Sequence, residues 1–353
     1  MGRGAIGWVD SGMPNTAPSV AGLDADAYEG VRCVVTGGCG FIGAHLVDAL
    51  VALGADVTVI DDLSSSDTEH LAQQIDRRPD RVRFVYASVL DPEALAEAVA
   101  DRELCFHLAA IASVPASIDD PQRTHDVNAT GTVRVAEACR RAGVKRIVNA
   151  STSAVYADDD GPKREEGVKD PSSPYGASKL GAETALVSHA RNYPIDSVSL
   201  RLFNVFGPRQ REGSAYAAVI PAFVSCLQRG EPCTIFGDGS ATRDFVPVSE
   251  VVRAFLLAGV RREPFKGRAI NVGSGVGTSV RTLFETLREL FARPGAQAVM
   301  EGPRPGDVAH SIADTQRAMH ELGFACGVSL EEGLRALLVS KGVSPAGSPT
   351  VRD

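Results

Sequence analysis

Arg32 to Gly43, RCVVTGGCGFIG, restricts the fold more than any other stretch of this 353-residue chain. A β-branched run at Val31, Val34 and Val35 leads into Gly38-x-Gly40-x-x-Gly43, and apolar residues recur at helical spacing at Phe41, Ile42, Leu46, Val47 and Leu50. The pattern predicts strand, tight turn and helix. Side chains in such a turn would hold a pyrophosphate away from the backbone amides, whereas glycines let it approach; the helix N-terminus adds free N–H donors and partial positive charge. The next apolar run, Val57 to Ile60, ends in Asp61-Asp62, and Asp61 follows Gly43 by 18 residues. A carboxylate at that distance accepts both adenosine ribose hydroxyls, which favours NAD and repels the 2′-phosphate of NADP. Without its flanks the glycine motif is more often a mere flexible turn, so the argument rests on strand, helix and acid together.

The rest of the first half repeats the alternation. Thr68 to Arg78 is predicted as a helix stopped by Pro79, Val82 to Tyr86 as a strand, and Asp91-Pro92 as the capped start of a helix to Ala100. Leu104 to Leu108 is an apolar strand, Asp126 to Ala142 one long amphipathic helix, and Ile147 to Ala150 a buried strand. A helix follows from Tyr175 to about Asn192, then a strand from Ser197 to Leu202. Nearly continuous apolar strands alternating with helices predict an α/β, Rossmann-like doubly wound parallel sheet covered on both faces, with ligands gathered at the carboxyl ends of the strands. Beyond Gly207-Pro208 the composition shifts to a smaller mixed α/β lobe. The expected partition is a flexible leader at 1–29, a dinucleotide domain at 30–205, a substrate lobe at 206–341 with some segments crossing back, and a frayed tail at 342–353.

A formal charge of −8 with no strongly basic segment argues against nucleic acid or an anionic membrane as partner. Seven dispersed cysteines without a C-x-x-C pair suggest buried thiols rather than disulfides or a zinc site; no metal is expected, and a reducing cytoplasm fits. The Gly-, Pro-, Ala- and Ser-rich start lacks the apolar core of a signal peptide, and no run of about 18 apolar residues occurs.

Tyr175 and Lys179 stand four apart at the start of a predicted helix and so share a face. An ammonium beside a phenol favours the phenolate, and a positively charged nicotinamide does the same, turning the tyrosine into a base. Thr152, just beyond the buried strand, places a hydroxyl at a strand's carboxyl end, where it would share a proton with Tyr175 and the substrate.

In order along the chain, TGGCGFIG, FHLAA, NASTSAVYAD, SPYGASK and LRLFNVFGPRQ resemble the extended short-chain dehydrogenase/reductase family, specifically its nucleotide-sugar epimerases and dehydratases, over about residues 31 to 340. The resemblance implies Thr152 and Tyr175 as catalytic hydroxyls and Lys179 as the group holding the nicotinamide ribose. It implies an NAD site of Gly37, Gly38, Gly40, Phe41, Ile42, Gly43, Asp61, Asp62, Ser88, Val89, Leu108, Ala109, Ala110, Asn128, Tyr175, Lys179 and Phe203. For the nucleotide sugar it implies Ser113, Thr152, Ser153, Tyr175, Asn204, Ala218, Val219, Arg243, Arg304, Asp307 and Ser311, the two arginines making charge-assisted bonds to phosphate. A homodimer is the family expectation. Two positions depart from the pattern: Ala87-Ser88 replaces the Gly-Asp that often contacts adenine, leaving a hydroxyl in place of the carboxylate, and Ala157 replaces a glycine.

Within the family, 4,6-dehydratases resemble one another in a Thr-Asp-Glu run, because expelling water needs an acid and a base. Here the run is Thr152-Ser153-Ala154, which supports epimerisation through a 4-keto sugar instead. RPGDVAHSIAD resembles the family's R-x-G-D segment, with Ser311 where glucose/galactose-restricted epimerases carry a tyrosine; a small residue leaves room for a 2-acetamido group. That segment, ASVPASIDDP and SAYAAVIP are most similar to UDP-N-acetylglucosamine 4-epimerases. The readings that stay open are a 4-epimerase of UDP-N-acetylglucosamine and UDP-N-acetylgalactosamine that also admits UDP-glucose and UDP-galactose, a UDP-glucuronate or galacturonate 4-epimerase or another nucleotide-sugar-modifying enzyme of the family, and a non-catalytic NAD-sensing module.

Overall fold

The strand expected before the glycine turn is β1, Arg32–Thr36, at the heart of a seven-stranded parallel sheet in this computed structural model, which describes residues 22–211, 219–302 and 308–347. Ala218, Arg304 and Asp307 lie outside the described residues. The chain adds β2 (Asp56–Asp61) and β3 (Val82–Tyr86) on one side of β1, then crosses to β4 (Leu104–His107), β5 (Arg146–Thr152) and β6 (Asp196–Leu202) on the other. It leaves through β7 (Asn204–Phe206), β8 (Cys233–Phe236) and β9 (Thr242–Pro247) and comes back as β10 (Arg268–Val272), paired with β6. The order is β10-β6-β5-β4-β1-β2-β3, so the direction of winding reverses between β1 and β4, where such sheets bind ligands.

Helices α1 (Phe41–Ala52), α2 (Glu69–Arg77) and α3 (Pro92–Val99) connect the first strands. Asp91 caps α3 by accepting from the N–H groups of Glu93 and Ala94, with Pro92 at the first helical position, as its sequence predicts. After β4 come α4 (Val114–Asp119), α5 (Pro121–His125) and α6 (Gly131–Ala142). The single helix expected from Asp126 to Ala142 is a π-helical turn, Asp126–Thr130, followed by α6. A π turn re-aims one residue without ending the helix; here it lies against α7 (Pro174–Asn192) and carries Asn128, whose amide reaches the Ser178 hydroxyl at 3.0 Å.

The second lobe holds α8 (Val219–Arg229), short β11 (Gly277–Ser279), α10 (Val280–Leu290), β12 (Ala298–Glu301), β13 (His310–Ser311) and α12 (Leu330–Ser340), numbered around α9 (Val248–Val260) and α11 (Gln316–Leu322). Its own core gathers Phe206, Phe223, Leu283, Leu287, Leu334 and Leu338. The segment that crosses back is larger than β10 alone: α9 is buried along most of its length, packs on α1 and joins the main core through Phe255 and Leu256.

In two stretches expected to be loose, the described residues, 22–29 and 342–347, make packing and hydrogen-bond contacts. Within the expected leader, Tyr28 is fully buried against Phe106, and its hydroxyl donates to the Leu256 carbonyl at 2.7 Å. Within the expected tail, the N–H of Val343 donates to Leu338 and that of Ala346 to Leu290. One tyrosine with a buried partner outweighs the polar composition around it. The charged excursion after Tyr156 is also anchored, because Lys163 bridges to Ala313 and Asn271 donates to the Lys163 carbonyl at 2.7 Å. Among the described residues no helix is long and apolar enough to cross a membrane, and no cluster of His, Cys, Asp and Glu could hold a metal.

Candidate active site

At the turn between β1 and α1 and in the first helical turn, Gly37, Gly38 and Gly43 leave no room for a Cβ. Gly37 has φ +69°, and a Cβ there would meet the Ala109 nitrogen at 2.6 Å; at Gly43 a Cβ would overlap the Gly37 carbonyl oxygen. Gly38 lies as tightly against Val59, where a Cβ would come within 2.7 Å. Gly40 is the N-cap of α1 and offers no side-chain acceptor, so the first N–H groups of α1, at Phe41 and Ile42, are left for a ligand. The cradle opens into a cavity of about 670 Å³ that continues past Leu108 and Ala110 to Thr152, Tyr175, Lys179 and Phe203.

Asp61 ends β2 at the rim of a smaller cavity of about 90 Å³, beside Asp62, Val89, Ala109 and Ala110. Its carboxylate already accepts from Cys39 N–H at 3.0 Å, Leu63 N–H at 2.9 Å and the Ser66 hydroxyl at 3.1 Å. Asp61 therefore shapes the glycine turn. Asp62 accepts from Ser64 N–H, and the Ser88 hydroxyl accepts from Leu90 N–H at 3.3 Å. Arg123 of α5 lines this cavity too, a residue that sequence reasoning missed.

Further along the large cavity, β5 runs two residues beyond its expected end, so that Thr152 is its last residue. Its Oγ1 accepts from Ala154 N–H at 3.1 Å, and the residue lines the cavity beside Tyr175, where its hydroxyl favours the ionised phenol. Ser173 caps α7 from the Gly176 N–H at 3.1 Å, fixing where Tyr175 leaves the first turn. One turn on, the Lys179 ammonium donates to the Ala150 carbonyl at 2.9 Å. The expectation that Lys179 lowers the phenol's pKa does not describe the protein groups by themselves. Burial raises the phenol above its ordinary range and the Thr152 hydroxyl opposes it, while burial pulls Lys179 down to about 8. Desolvation dominates here because Lys179 is buried and Tyr175 is half-buried in the cavity wall.

Asn128 is fully buried and ties three segments together, accepting from Ile111 N–H at 2.8 Å and donating to Ile111 carbonyl and Ser178 hydroxyl. It supports the cavity wall without lining it. Ser113 caps α4 through Ala116 N–H at 3.2 Å, and Ser153 opens a single 3₁₀ turn after Thr152.

The second lobe brings Arg243 and Ser311 side by side, as register partners of the parallel strands β9 and β13. Buried Asp244, the next residue, braces this corner by accepting from the N–H groups of Ser274, Gly275 and Ala313 and from the Ser274 hydroxyl. Asn204 donates to the Asp244 carbonyl at 3.3 Å, and Val219 begins α8. Sequence reasoning also missed Glu183, which is buried on α7 and paired with Arg201 of β6 at 2.7 Å. Its signal was spacing, four residues past Lys179 as Lys179 is four past Tyr175.

A glycine cradle at the switch point of a parallel sheet, an acid at the end of β2, and a hydroxyl, phenol and ammonium at one cavity wall define a dinucleotide-binding α/β enzyme. The model of the NAD dependent epimerase/dehydratase family matches residues 33–273. The chain is 40% identical over 308 residues to a UDP-glucose 4-epimerase of Mycolicibacterium smegmatis, covering 86% of this chain and 96% of that one. Its fold matches the UDP-glucose 4-epimerase of Thermotoga maritima, solved with UDP-glucose, at TM-score 0.82 and 37% identity over 88% of this chain and 99% of that one. It also matches a UDP-N-acetylglucosamine 4-epimerase of Methanobrevibacter ruminantium, solved with UDP-N-acetylmuramic acid, at TM-score 0.82 and 36% identity over 89% and 98%. The chain belongs to the NAD dependent epimerase/dehydratase family, and its cofactor is NAD.

Proposed function

We propose that this enzyme inverts C4 of a UDP-sugar, with UDP-N-acetylglucosamine and UDP-N-acetylgalactosamine as its main pair and UDP-glucose and UDP-galactose also accepted. The glycine cradle fits the cofactor's pyrophosphate, since Gly37 and Gly43 let the turn pack against Ala109 and its own backbone while the uncapped N-terminus of α1 stays open to the cavity. In this reading Phe41 and Ile42 N–H groups meet the phosphates, Asp61 and Asp62 the adenosine ribose, and Lys179 the nicotinamide ribose. When bound, NAD would supply a reversible hydride acceptor beside C4.

Everything else is done by the chain. Tyr175 takes the proton of the C4 hydroxyl, and Thr152, whose oxygen accepts from Ala154 N–H, is left free to donate toward the developing charge. A planar 4-keto sugar results. Arg243, with Asn204 and Ser311, holds the diphosphate and nucleotide end while the sugar turns over, so that hydride would return to the opposite face of C4 and Tyr175 gives its proton back to the C4 oxygen.

One observation carries epimerisation over elimination. Beyond Thr152 the wall of the site continues as Ser153 and Ala154 in a 3₁₀ turn, so no carboxyl group stands there to protonate or deprotonate C5 and C6. The acetamido preference is supported by Ser311, small and next to Arg243. Both a UDP-glucose and a UDP-N-acetylglucosamine 4-epimerase among the similar proteins agree with a site that tolerates either substituent.

The test is proton NMR of the purified protein with UDP-N-acetylglucosamine and no added cofactor. Appearance of UDP-N-acetylgalactosamine to a fixed ratio is the expected result. If only UDP-glucose, or only a UDP-uronic acid, is converted, the acetamido assignment is wrong; if no sugar changes with NAD supplied, so is epimerisation.

A further inference from the structure

We propose that Glu183 is a positioning residue for the reaction, acting through Lys179 and through the end of β5, so that the working set is a three-rung ladder between β5 and α7. Tyr175, Lys179 and Glu183 are spaced four apart on α7 and so share a face. Each meets one of three consecutive strand residues. Tyr175 faces Thr152 across the cavity wall, Lys179 donates to the Ala150 carbonyl at 2.9 Å, and the Ser151 hydroxyl donates to Glu183 Oε1 at 2.5 Å.

The third rung is itself fixed. Glu183 is 5% exposed, and Arg201 of β6 donates to Oε1 at 2.9 Å and to Oε2 at 2.7 Å. Arg201 is held in turn by the Tyr156 hydroxyl at 2.9 Å. Three donors on one carboxylate leave it no other rotamer, and the helix turn carrying Lys179 is locked to the strand end carrying Thr152.

Its electrostatic task follows from burial. Lys179 loses the solvation of its charge, and Glu183 is the group that favours the ammonium. The other titratable and charged groups around the pair are Tyr175 on α7, neutral His107 on β4, Arg201 on β6, and Glu165 with Lys169 on the segment after Tyr156. A neutral amine at position 179 would neither grip the ribose hydroxyls as strongly nor steady a phenolate. This inference rests on the roles given above to Tyr175 and Lys179.

The experiment compares holoenzymes of the wild type and Glu183→Gln, reading NAD retained after gel filtration at pH 7 and pH 9 and the pH profile of kcat. Expected are an alkaline limb moved down by about one pH unit, NAD lost at pH 9, kcat lowered roughly 10-fold, and KM for the sugar changed less than about 3-fold. An alkaline limb and NAD retention that coincide with wild type overturn the proposal. Should the buried, unpaired Arg201 prevent folding, Glu183→Gln with Arg201→Gln removes both charges and the same limb is read. Ser151→Ala keeps both charges and is expected to leave the limb in place; a limb displaced as far as in E183Q assigns the effect to lost packing and equally overturns the proposal. A wrong sugar assignment shows in the wild type's substrate range, whereas NAD retention is independent of the sugar.

Discussion

Thr36 donates its hydroxyl proton to Nδ1 of His107 across 2.7 Å, because the threonine oxygen already accepts from the N–H groups of Leu108 and Ala109. That fixes the imidazole's tautomer. Nε2 carries the proton and donates to Thr132 at 2.9 Å, and Thr132 donates onward to the Asn128 carbonyl at 2.6 Å. The chain of bonds joins β1, β4 and the π turn directly behind the cofactor cavity, and every member is buried.

The network predicts acid sensitivity. Burial lowers His107 to about 3, and it lowers His45, bonded to the Pro208 carbonyl at 2.9 Å, to about 4. The unfolded chain protonates both near 6.5, so below that pH it binds more protons than the folded protein and stability falls with pH. The contribution is complete above about 6.5 and lost progressively toward the folded values, on the order of 3 kcal/mol for each histidine. Urea midpoints at pH 7.5, 6 and 5 should decline steadily, and His45→Gln should reduce the decline. Midpoints unchanged across that range would show that neither imidazole is held neutral.

Removing the Tyr175 hydroxyl should separate chemistry from cofactor binding. The phenol faces Thr152, while the cradle for the pyrophosphate is more than one element away in β1 and α1. Tyr175→Phe is expected to lose about 10²- to 10⁴-fold in kcat and to keep its bound NAD, assayed by epimerisation and by absorbance of the released cofactor. An active Phe variant would take the role of base away from Tyr175.

Much of this site is legible along the chain because it is built from local patterns. The glycine spacing, Asp61 at the end of β2 and the four-residue step from Tyr175 to Lys179 each lie within one strand-turn-helix unit or one helix. What could not be read is what depends on contacts between distant segments. Tyr28 sits in a polar stretch, and contacts with Phe106 and with the Leu256 carbonyl, 228 residues away, make it core. The π turn at Asn128 follows the same amphipathic period as the helix after it, so periodicity joins the two; its cause is a set of bonds to Ile111 and Ser178. Glu183 looked like one more charge on a helix until Arg201 and Ser151 closed around it.

Gly43→Ala tests whether the cradle is a steric necessity. A Cβ at this position would overlap the Gly37 carbonyl, a backbone atom that cannot move without disturbing the turn packed on Ala109. The variant should purify without NAD and lose activity that excess NAD does not restore, while Gly295→Ala, where a Cβ meets nothing, should behave as wild type. Full NAD occupancy in Gly43→Ala, measured by absorbance after denaturation, would remove the steric argument for the motif.

Ser311→Tyr addresses which sugar is accepted. Ser311 is 8% exposed and sits beside Arg243 on the β9–β13 pair, so a large side chain there must project toward whatever Arg243 holds or displace its neighbours. If the serine makes room for a 2-acetamido group, the tyrosine variant should lose UDP-N-acetylglucosamine turnover and keep UDP-glucose turnover. The ratio of the two kcat/KM values should shift by about 10- to 100-fold, the range that one crowded or missing group in a pocket produces. The ratio is the informative quantity, because a general loss of folding or of NAD would lower both substrates together. An unchanged ratio in a folded, NAD-bound variant would mean that the acetamido group lies elsewhere and that Ser311 is an ordinary strand residue.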